Sequence, residues 1–414
     1  MPEPGSEGPL AGLRVIDCST VLAGPYCTMV LGDLGADIVK VEPPDGDPTR
    51  GWGPPWVGRR EDGTETAAYY LAVNRNKRSI RLDLRSREGT EVLRRLLAEA
   101  DALVENFRPG TLAGFGFDDA ELARLAPDLV HLSISGYGSD GPGSTRPGYD
   151  FVIQAVGGLM SITGEPDGAP MKVGVAISDV ATGLFGAVGV LAALLARDQG
   201  GRGGERDGRP RGQRVETSLL ASTLAILVNQ AQNAFVSGRS PGRRGNAHPN
   251  IVPYEAFDTA DGRIALAVGS ERQWVRLCEA IDRRGLATDA RFATNGLRVE
   301  HREALRAILD ERFRSRSTAD WISRLDAADV PVGPINGVLE AFGQVEPGRL
   351  GATVDLEHPA IGSVRQPGIP FRLSATPASI RTAPPGPGEH TDQILAELGY
   401  DRGEVAQLRR GGVG

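Results

Sequence analysis

Cysteine is scarce in this chain. Cys18, Cys27 and Cys278 are the only three in 414 residues. An odd number at unrelated spacings builds neither a disulfide framework nor a paired-cysteine metal site, and a reducing compartment, the cytoplasm, is expected. Charge of one sign is also lacking: 46 Lys and Arg stand against 53 Asp and Glu, a net charge of -7. That balance gives no electrostatic reason to expect nucleic acid or an anionic membrane as a partner. The longest apolar run, Leu184 to Ala196, stops at Arg197 and is shorter than the roughly 18 residues a bilayer span requires, so it is expected as a buried core helix. The N-terminal MPEPGSEGPL carries neither a basic nor an apolar region, and no secretory signal is expected. The five histidines (His131, His248, His301, His358, His390) are scattered, with no HExxH, and no GxxxxGK[ST] occurs. Metal and P-loop chemistry are therefore disfavoured.

What is present is an alternation of short β-type runs and helical patterns, which predicts a mostly parallel sheet covered by helices. LRVIDCS (Leu13 to Ser19), ADIVKVE (Ala36 to Glu42), RSIRLDL (Arg78 to Leu84) and ALVENF (Ala102 to Phe107) read as strands. Between them, Gly24-Pro25 predicts a break, Tyr26 to Leu34 a short helix, and Glu88 to Ala100 a longer one. Asp198 to Arg214 is Gly-rich and charged and is expected as a solvent loop. A strand RVETSL and one long helix from Leu219 to about Ala234 follow, then a Gly/Pro/Arg-rich boundary, GRSPGRRGNAHPN. A hairpin on Asp261-Gly262 and amphipathic helices from Glu271 to about Ala327 come next. DVPVGPIN (Asp329 to Asn336) is expected to return the chain to the first domain.

Several motifs carry chemistry only in the right context. Gly136, Gly138 and Gly141 spell GxGxxG after a predicted strand, yet a dinucleotide loop needs a helix opening at the third glycine, and Pro142 to Pro147 prevents one. Gly238 to Gly242 spells GxSxG but lacks the strand before and the helix after that a nucleophile elbow requires. Cys27, near a helix start, reads as a small buried packing residue before it reads as a thiolate nucleophile. Asp179, at the start of the apolar helix, is most simply an N-cap whose carboxylate accepts helix amides. The same geometry places a carboxylate at the C-terminal edge of a parallel sheet, where open α/β folds bind ligands and where an Asp is able to act as a nucleophile toward an activated acyl group.

Eight ordered segments together resemble the class III CoA-transferases, the family of formyl-CoA transferase and carnitine CoA-transferase that also includes the α-methylacyl-CoA racemases. They are PLAGLRVIDCSTVLAGP, LGADIVKVEPPDGDPTRGW, NRNKRSIRLDL, LVENFRPGTLAGFGF, GYDFVIQAVGGLMSITGEPDG, DVATGLFGAVGVLAALLAR, NIVPYEAF and VPVGPIN, spread over nearly the whole chain. The resemblance implies an α/β fold. A large Rossmann-like CoA-binding domain would span residue 1 to about 225, completed by about 337 to 414, with a smaller α+β domain over about 226 to 336. It further implies an interlocked homodimer with the active site at the interface.

In that family the residue matching Asp179 is the nucleophile, which overrides the cap-only reading. The implied reaction moves CoA from an acyl-CoA donor to a carboxylic acid acceptor through an aspartyl anhydride and an aspartyl-CoA thioester, with CoA thioesters as substrates and no permanent cofactor. The resemblance assigns CoA contacts to Leu22 and Ala23, to Leu82, Asp83, Leu84 and Arg85, to Asn106, Phe107 and Arg108, and to Tyr149 and Asp150. By charge, Arg75, Lys77 and Arg78 are candidate phosphate partners. Where formyl-CoA transferase has basic CoA contacts this chain has Pro43, Gly114 and Pro147, and its first-loop glutamine is Leu22, which argues against formyl-CoA and oxalate as the substrate pair. The racemases place a histidine in their GHD motif, whereas this chain reads Gly148-Tyr149-Asp150. A phenol with a pKa near 10 is a poor α-proton base, so acyl transfer is favoured, with racemisation and a silent CoA-binding scaffold as the alternatives. The segments ITGEPDGAPMKVGVA and RRGNAHPNIVPYEAF look most like members that use succinyl-CoA with a second dicarboxylate or hydroxy acid. On that reading Arg243, Arg244 and His248 bind a distal carboxylate.

Overall fold

The computed structural model describes residues 8–58, 66–199, 212–358 and 360–414. The expected solvent loop from Asp198 to Arg214 lies mostly outside the described residues, its ends continuing a helix and a strand. The chain divides into two compact units, one of residues up to Gly157 with Gly174–Ala231 and Val345–Gly414, the other of Gly158–Val173 and Gln232–Gln344.

The first unit is built on six strands: β1 (Arg14–Asp17), β2 (Asp37–Glu42), β3 (Lys77–Arg81), β4 (Ala102–Glu105), β5 (Val130–Ser135) and β6 (Gln213–Ser218). All pair in parallel, in the order β3-β2-β1-β4-β5-β6. Because side chains alternate across a strand, Ile16, Val39, Ile80 and Leu103 enter a core with the helix Arg87–Ala98. Val15, Ile38, Val104, Leu132 and Ile134 face a second core on the other side. That second layer is formed by α1 (Ala23–Asp33), with α2 (Asp150–Val156) and α3 (Ile177–Gln199) following in the chain.

Local structure departs from the sequence expectation at four places. α1 begins at Ala23, not after Gly24-Pro25; amides in the first helical turn have no intrahelical acceptor, so a proline there removes nothing. The segment before Asp179 forms no strand, and α3 runs for 23 residues, longer than its apolar run. By length and composition α3 meets the requirement for crossing a membrane, with half of its apolar window buried in the protein. The helix expected from Leu219 is broken into Leu219–Ala225 and Val228–Ser237, bent by 74° where Val228 takes a φ of 35°.

In the second unit Tyr254–Asp258 and Arg263–Ala267 form the expected hairpin. DVPVGPIN supplies a third strand, Val332–Pro334, which pairs antiparallel to Arg263–Ala267 before the chain leaves the unit. Helices cover this sheet around a core that includes Phe257, Leu266, Trp274, Phe313 and Trp321.

Candidate active site

In the sheet order the chain reverses direction between β1 and β4, and at such a reversal the loops leaving the two strands diverge, opening a crevice at their C-terminal ends. Asn106, just past β4, closes the base of that crevice: its side-chain amide donates to Thr20 O at 2.7 Å and its carbonyl accepts Thr20 N–H at 2.9 Å. The next residue, Val21, has φ = 70°, a conformation a β-branched side chain adopts only under constraint from its surroundings. Leu22 then starts α1 with no side-chain cap among the described residues and no acidic residue in the first turn, leaving the positive helix end at the crevice.

The constraint on this loop is a buried polar network under it. Asp17, at the end of β1, accepts from Ser19 N–H, Thr28 Oγ1 and the Lys77 ammonium, the last two at 2.7 and 3.0 Å. Lys77 also donates to Pro25 O and Asn74 Oδ1, while Lys40 donates to Ser19 O and pairs with Asp47 at 2.9 Å. Burial alone would raise the Asp17 pKa, but Lys77 and Lys40 overcome it and hold the group down at about 2. Burial lowers Lys77 to about 8 in spite of Asp17. The basic run considered for phosphate binding is therefore engaged internally: Lys77 as above, Arg75 with Asp33 at 2.6 Å, and Arg78 with Asp37 and Glu397. It is not a solvated loop either, because Arg75 and Lys77 are buried.

Asp179 is the third residue of α3 and not its cap, and among the described residues its carboxylate has no hydrogen-bond donor. The group that anchors this helix start is Asp150, whose Oδ1 accepts the Ser178 amide at 2.9 Å while Oδ2 accepts from Gln154 at 2.7 Å. Ser178 is fully buried and accepts from Thr223 Oγ1 at 2.8 Å. Burial first, and the neighbouring Asp150 charge second, push the Asp179 carboxyl up to about 7. Burial together with these two carboxylates raises Tyr69 to about 12. A partly buried carboxylate without hydrogen-bond donors and poised near neutrality is a reactive nucleophile once ionised.

Two glycine contacts bring the parts together. A Cβ on Gly183, one turn after Asp179, would lie 2.6 Å from Ala23 O, so α3 crosses the first turn of α1 backbone to backbone. Gly136 and Gly148 meet in the same way, a Cβ on the former lying 2.6 Å from Gly148 Cα, which draws the chain before Tyr149 against the end of β5. The glycine-rich loop thus packs backbone against backbone, and α2 begins only at Asp150, well past Gly141.

The resulting cleft, about 310 Å³, is lined by Asp179 together with Leu22, Ala23, Asn106, Phe107, Arg108 and Tyr149. Asp150 stands behind it through Ser178. Leu82, Asp83, Leu84 and Arg85 do not line it; they follow β3, where Leu82 bridges to Val413 and Asp83 N–H donates to Gly412 O, with Arg85 exposed. Arg146 was not singled out from the sequence. It lines the cleft with its guanidinium 4.8 Å from the Tyr137 ring centroid, and the sole signal for it was a basic residue just before Gly148-Tyr149-Asp150. Tyr69, which feels the charges of Asp179 and Asp150, left no signal. Cys27 is wholly buried and burial pushes its thiol far up, so it supplies no thiolate. Among the described residues no three His, Cys, Asp or Glu side chains are grouped to hold a metal ion.

In the second unit the three residues considered for a distal carboxylate are placed differently from one another. Arg243 donates to the carbonyls of Glu165, Pro166 and Gly168 and so clamps that turn. Arg244 is exposed, with no partner among the described residues. His248 Nδ1 accepts Asn250 N–H at 3.1 Å, and burial with the charge of Arg302 lowers its pKa, keeping the ring neutral.

Comparison with known proteins gives the family. The pattern of CoA-transferase family III matches residues 10–391. The chain is 44% identical over 398 residues, 95% of its length and 97% of the relative's, to a succinate–glutarate CoA-transferase of Agrobacterium fabrum. It is 40% identical over 407 residues, 98% of its length and 90% of the relative's, to the human succinyl-CoA:glutarate CoA-transferase. Among solved structures, a CAIB/BAIF family protein of Brucella suis superposes with a TM-score of 0.82 at 41% identity, covering 95% of this chain and all of that one. The chain belongs to CoA-transferase family III, and it is an enzyme of acyl-CoA metabolism that transfers CoA.

Proposed function

We propose that the protein moves CoA from succinyl-CoA to a second carboxylic acid of the dicarboxylate class, with Asp179 as the covalent nucleophile. The observation that carries the reading is an unpartnered carboxylate with its pKa raised to about 7, set in a cleft whose other walls are an uncapped helix end and two arginines, Arg108 and Arg146. An Asp179 oxygen attacks the thioester carbon, the C–S bond breaks, and CoA leaves as the thiolate, giving a mixed anhydride. The thiolate then attacks the Asp179 carbonyl carbon, expelling succinate and forming an aspartyl-CoA thioester. The acceptor carboxylate attacks that thioester and frees the thiolate again, and thiolate attack on the acceptor acyl carbon yields the new acyl-CoA and restores Asp179. In each addition the negative charge that develops on the carbonyl oxygen is served by amides at the α1 start, a fixed dipole that needs no reorganisation. No histidine lines the cleft, which supports transfer over α-proton exchange.

The strand order supports a Rossmann-like description of the first unit. Leu82, Asp83, Leu84 and Arg85 remain assigned to the adenosine end of CoA, and Arg244 and His248 to the distal carboxylate, with Arg243 holding the Glu165–Gly168 turn beside them. A homodimer is supported by the apolar side chains that α2 and α3 leave exposed, among them Phe151, Val152, Val156, Phe185 and Val188. Three free, buried cysteines accord with a cytoplasmic setting.

The test is incubation with succinyl-CoA and a panel of carboxylic acids, following new thioesters by chromatography and the tryptic peptide containing Asp179 by mass spectrometry. A new acyl-CoA together with a CoA adduct on that peptide is expected. Deuterium uptake into a 2-methylacyl-CoA with no transfer to any acid would replace the reading by racemisation.

A further inference from the structure

Two arginines, Arg298 in the helix Asn295–Glu300 and Arg302 at the start of the helix Arg302–Phe313, hold the loop His248–Val252 of the second unit, and they are satisfied to different degrees. Arg298 donates from Nε to Val252 O, from Nη1 to Phe292 O and Glu271, and from Nη2 to Glu271, so all three nitrogens are used. Arg302 donates from Nη2 to His248 O at 2.7 Å and Pro249 O at 3.2 Å, but its buried Nη1 has no protein partner. The residue is 8% exposed. A guanidinium nitrogen left unpaired at such a depth carries an uncompensated desolvation cost, which a ligand anion removes.

Arg302 lines a cavity of about 590 Å³ within this unit. Its walls carry six arginines against four carboxylates, and Glu255 behind Arg306 is a fifth, which leaves the arginines in excess by one. Most of the arginines are occupied: Arg243 by the turn carbonyls, Arg263 and Arg314 by Asp258, Arg306 by Glu255 and Asp310. That leaves Arg244 and Arg302 Nη1; Arg302 feels the charge of Arg244 and, to a lesser degree, the opposite charges of Glu255 and Glu303. Like charges placed together and left unpaired describe a site for an anion.

We propose that Arg302 and Arg244 form a dicarboxylate-binding pair in this cavity, Arg302 from its buried wall and Arg244 from the surface. The identity of the ligand rests on the proposed transferase reading; the existence of an anion site does not. Arg302 then takes the place that Arg243, committed to carbonyls, does not fill. Two arginines that lack a carboxylate partner suit a dianion better than a monocarboxylate, and phosphate is the other small anion with that chemistry.

The test is calorimetric titration of the full chain with glutarate, succinate, butyrate and inorganic phosphate, repeated on Arg302→Lys and Arg244→Ala, with circular dichroism and melting temperature recorded for each. Lysine at 302 keeps the charge and loses the second donor. Arg244 is exposed, so its alanine variant keeps the fold whatever happens at 302. Saturable binding of glutarate or succinate, absent for butyrate and weakened at least about tenfold in both variants, is the expected result. No saturable dicarboxylate heat, equal affinities in the native chain and Arg244→Ala, or tighter binding of phosphate than of glutarate would each overturn it. Binding that persists in a protein which turns over no acyl-CoA would remove the transferase reading and leave the anion site standing.

Discussion

Replacing Asp179 by asparagine separates what this carboxylate costs the fold from what it does in the reaction. Its pKa rises from 3.8 to about 7 in the folded protein, through burial and the charge of Asp150. Because the folded pKa lies above the unfolded one, ionisation opposes folding: the penalty is absent below about pH 4, grows between about pH 4 and 7, and is complete above pH 7. About three pKa units at 1.36 kcal/mol each set a ceiling of about 4 kcal/mol, and relaxation with water entry lowers the expected gain of Asp179→Asn at pH 8 to roughly 2–4 kcal/mol. Urea unfolding of the native and Asn proteins at pH 4, 6 and 8 measures it. The two curves should converge at pH 4, and the variant should be more stable at pH 8 although it forms no CoA adduct. Equal stability at pH 8, or the same gain at pH 4 as at pH 8, would show that the carboxyl is not held at raised pKa and would refute the reasoning.

Other consequences follow from the same geometry. Since only ionised Asp179 attacks, kcat/KM should rise with pH to a plateau with an apparent pKa near 7. Asp150→Asn removes the neighbouring charge but keeps an oxygen for the Ser178 amide, so that rise should move to lower pH in the pH–rate profile. A Cβ at position 183 meets Ala23 O at 2.6 Å, and Gly183→Ala should cost about 1–3 kcal/mol in chemical denaturation and lower kcat by moving α1 from Asp179. Removing Asp17 strands the fully buried Lys77, and Asp17→Ala should cost about 3–5 kcal/mol by the same measurement. Arg146→Ala should raise KM for the CoA thioester by about tenfold or more if its guanidinium meets a phosphate or carboxylate of the substrate; an unchanged KM in steady-state kinetics would remove it from the binding surface.

The parallel sheet was legible because its strands, buried on both faces, read as short β-branched runs separated by turn signals, as in Arg14–Asp17 and Asp37–Glu42. Asp179 was legible as a candidate because an acidic residue opens the one long apolar helix. Its role was not, since a cap and a nucleophile occupy the same position in a pattern. The difference lies in which group takes the helix start, and that group is Asp150, 28 residues away in sequence. The charge of Lys77 was visible and its fate was not: a lysine beginning a strand is a solvated side chain by composition, and only the fold places it against Asp17, 60 residues distant, with no water between. Sequence by itself therefore determined the layering of strands and helices, which depends on local periodicity, and the residue types available for acyl chemistry. Tertiary structure alone decided which charges face each other and which stay unpaired, as at Asp179 and Arg302 Nη1, because desolvation and pairing depend on neighbours that the chain brings together from afar.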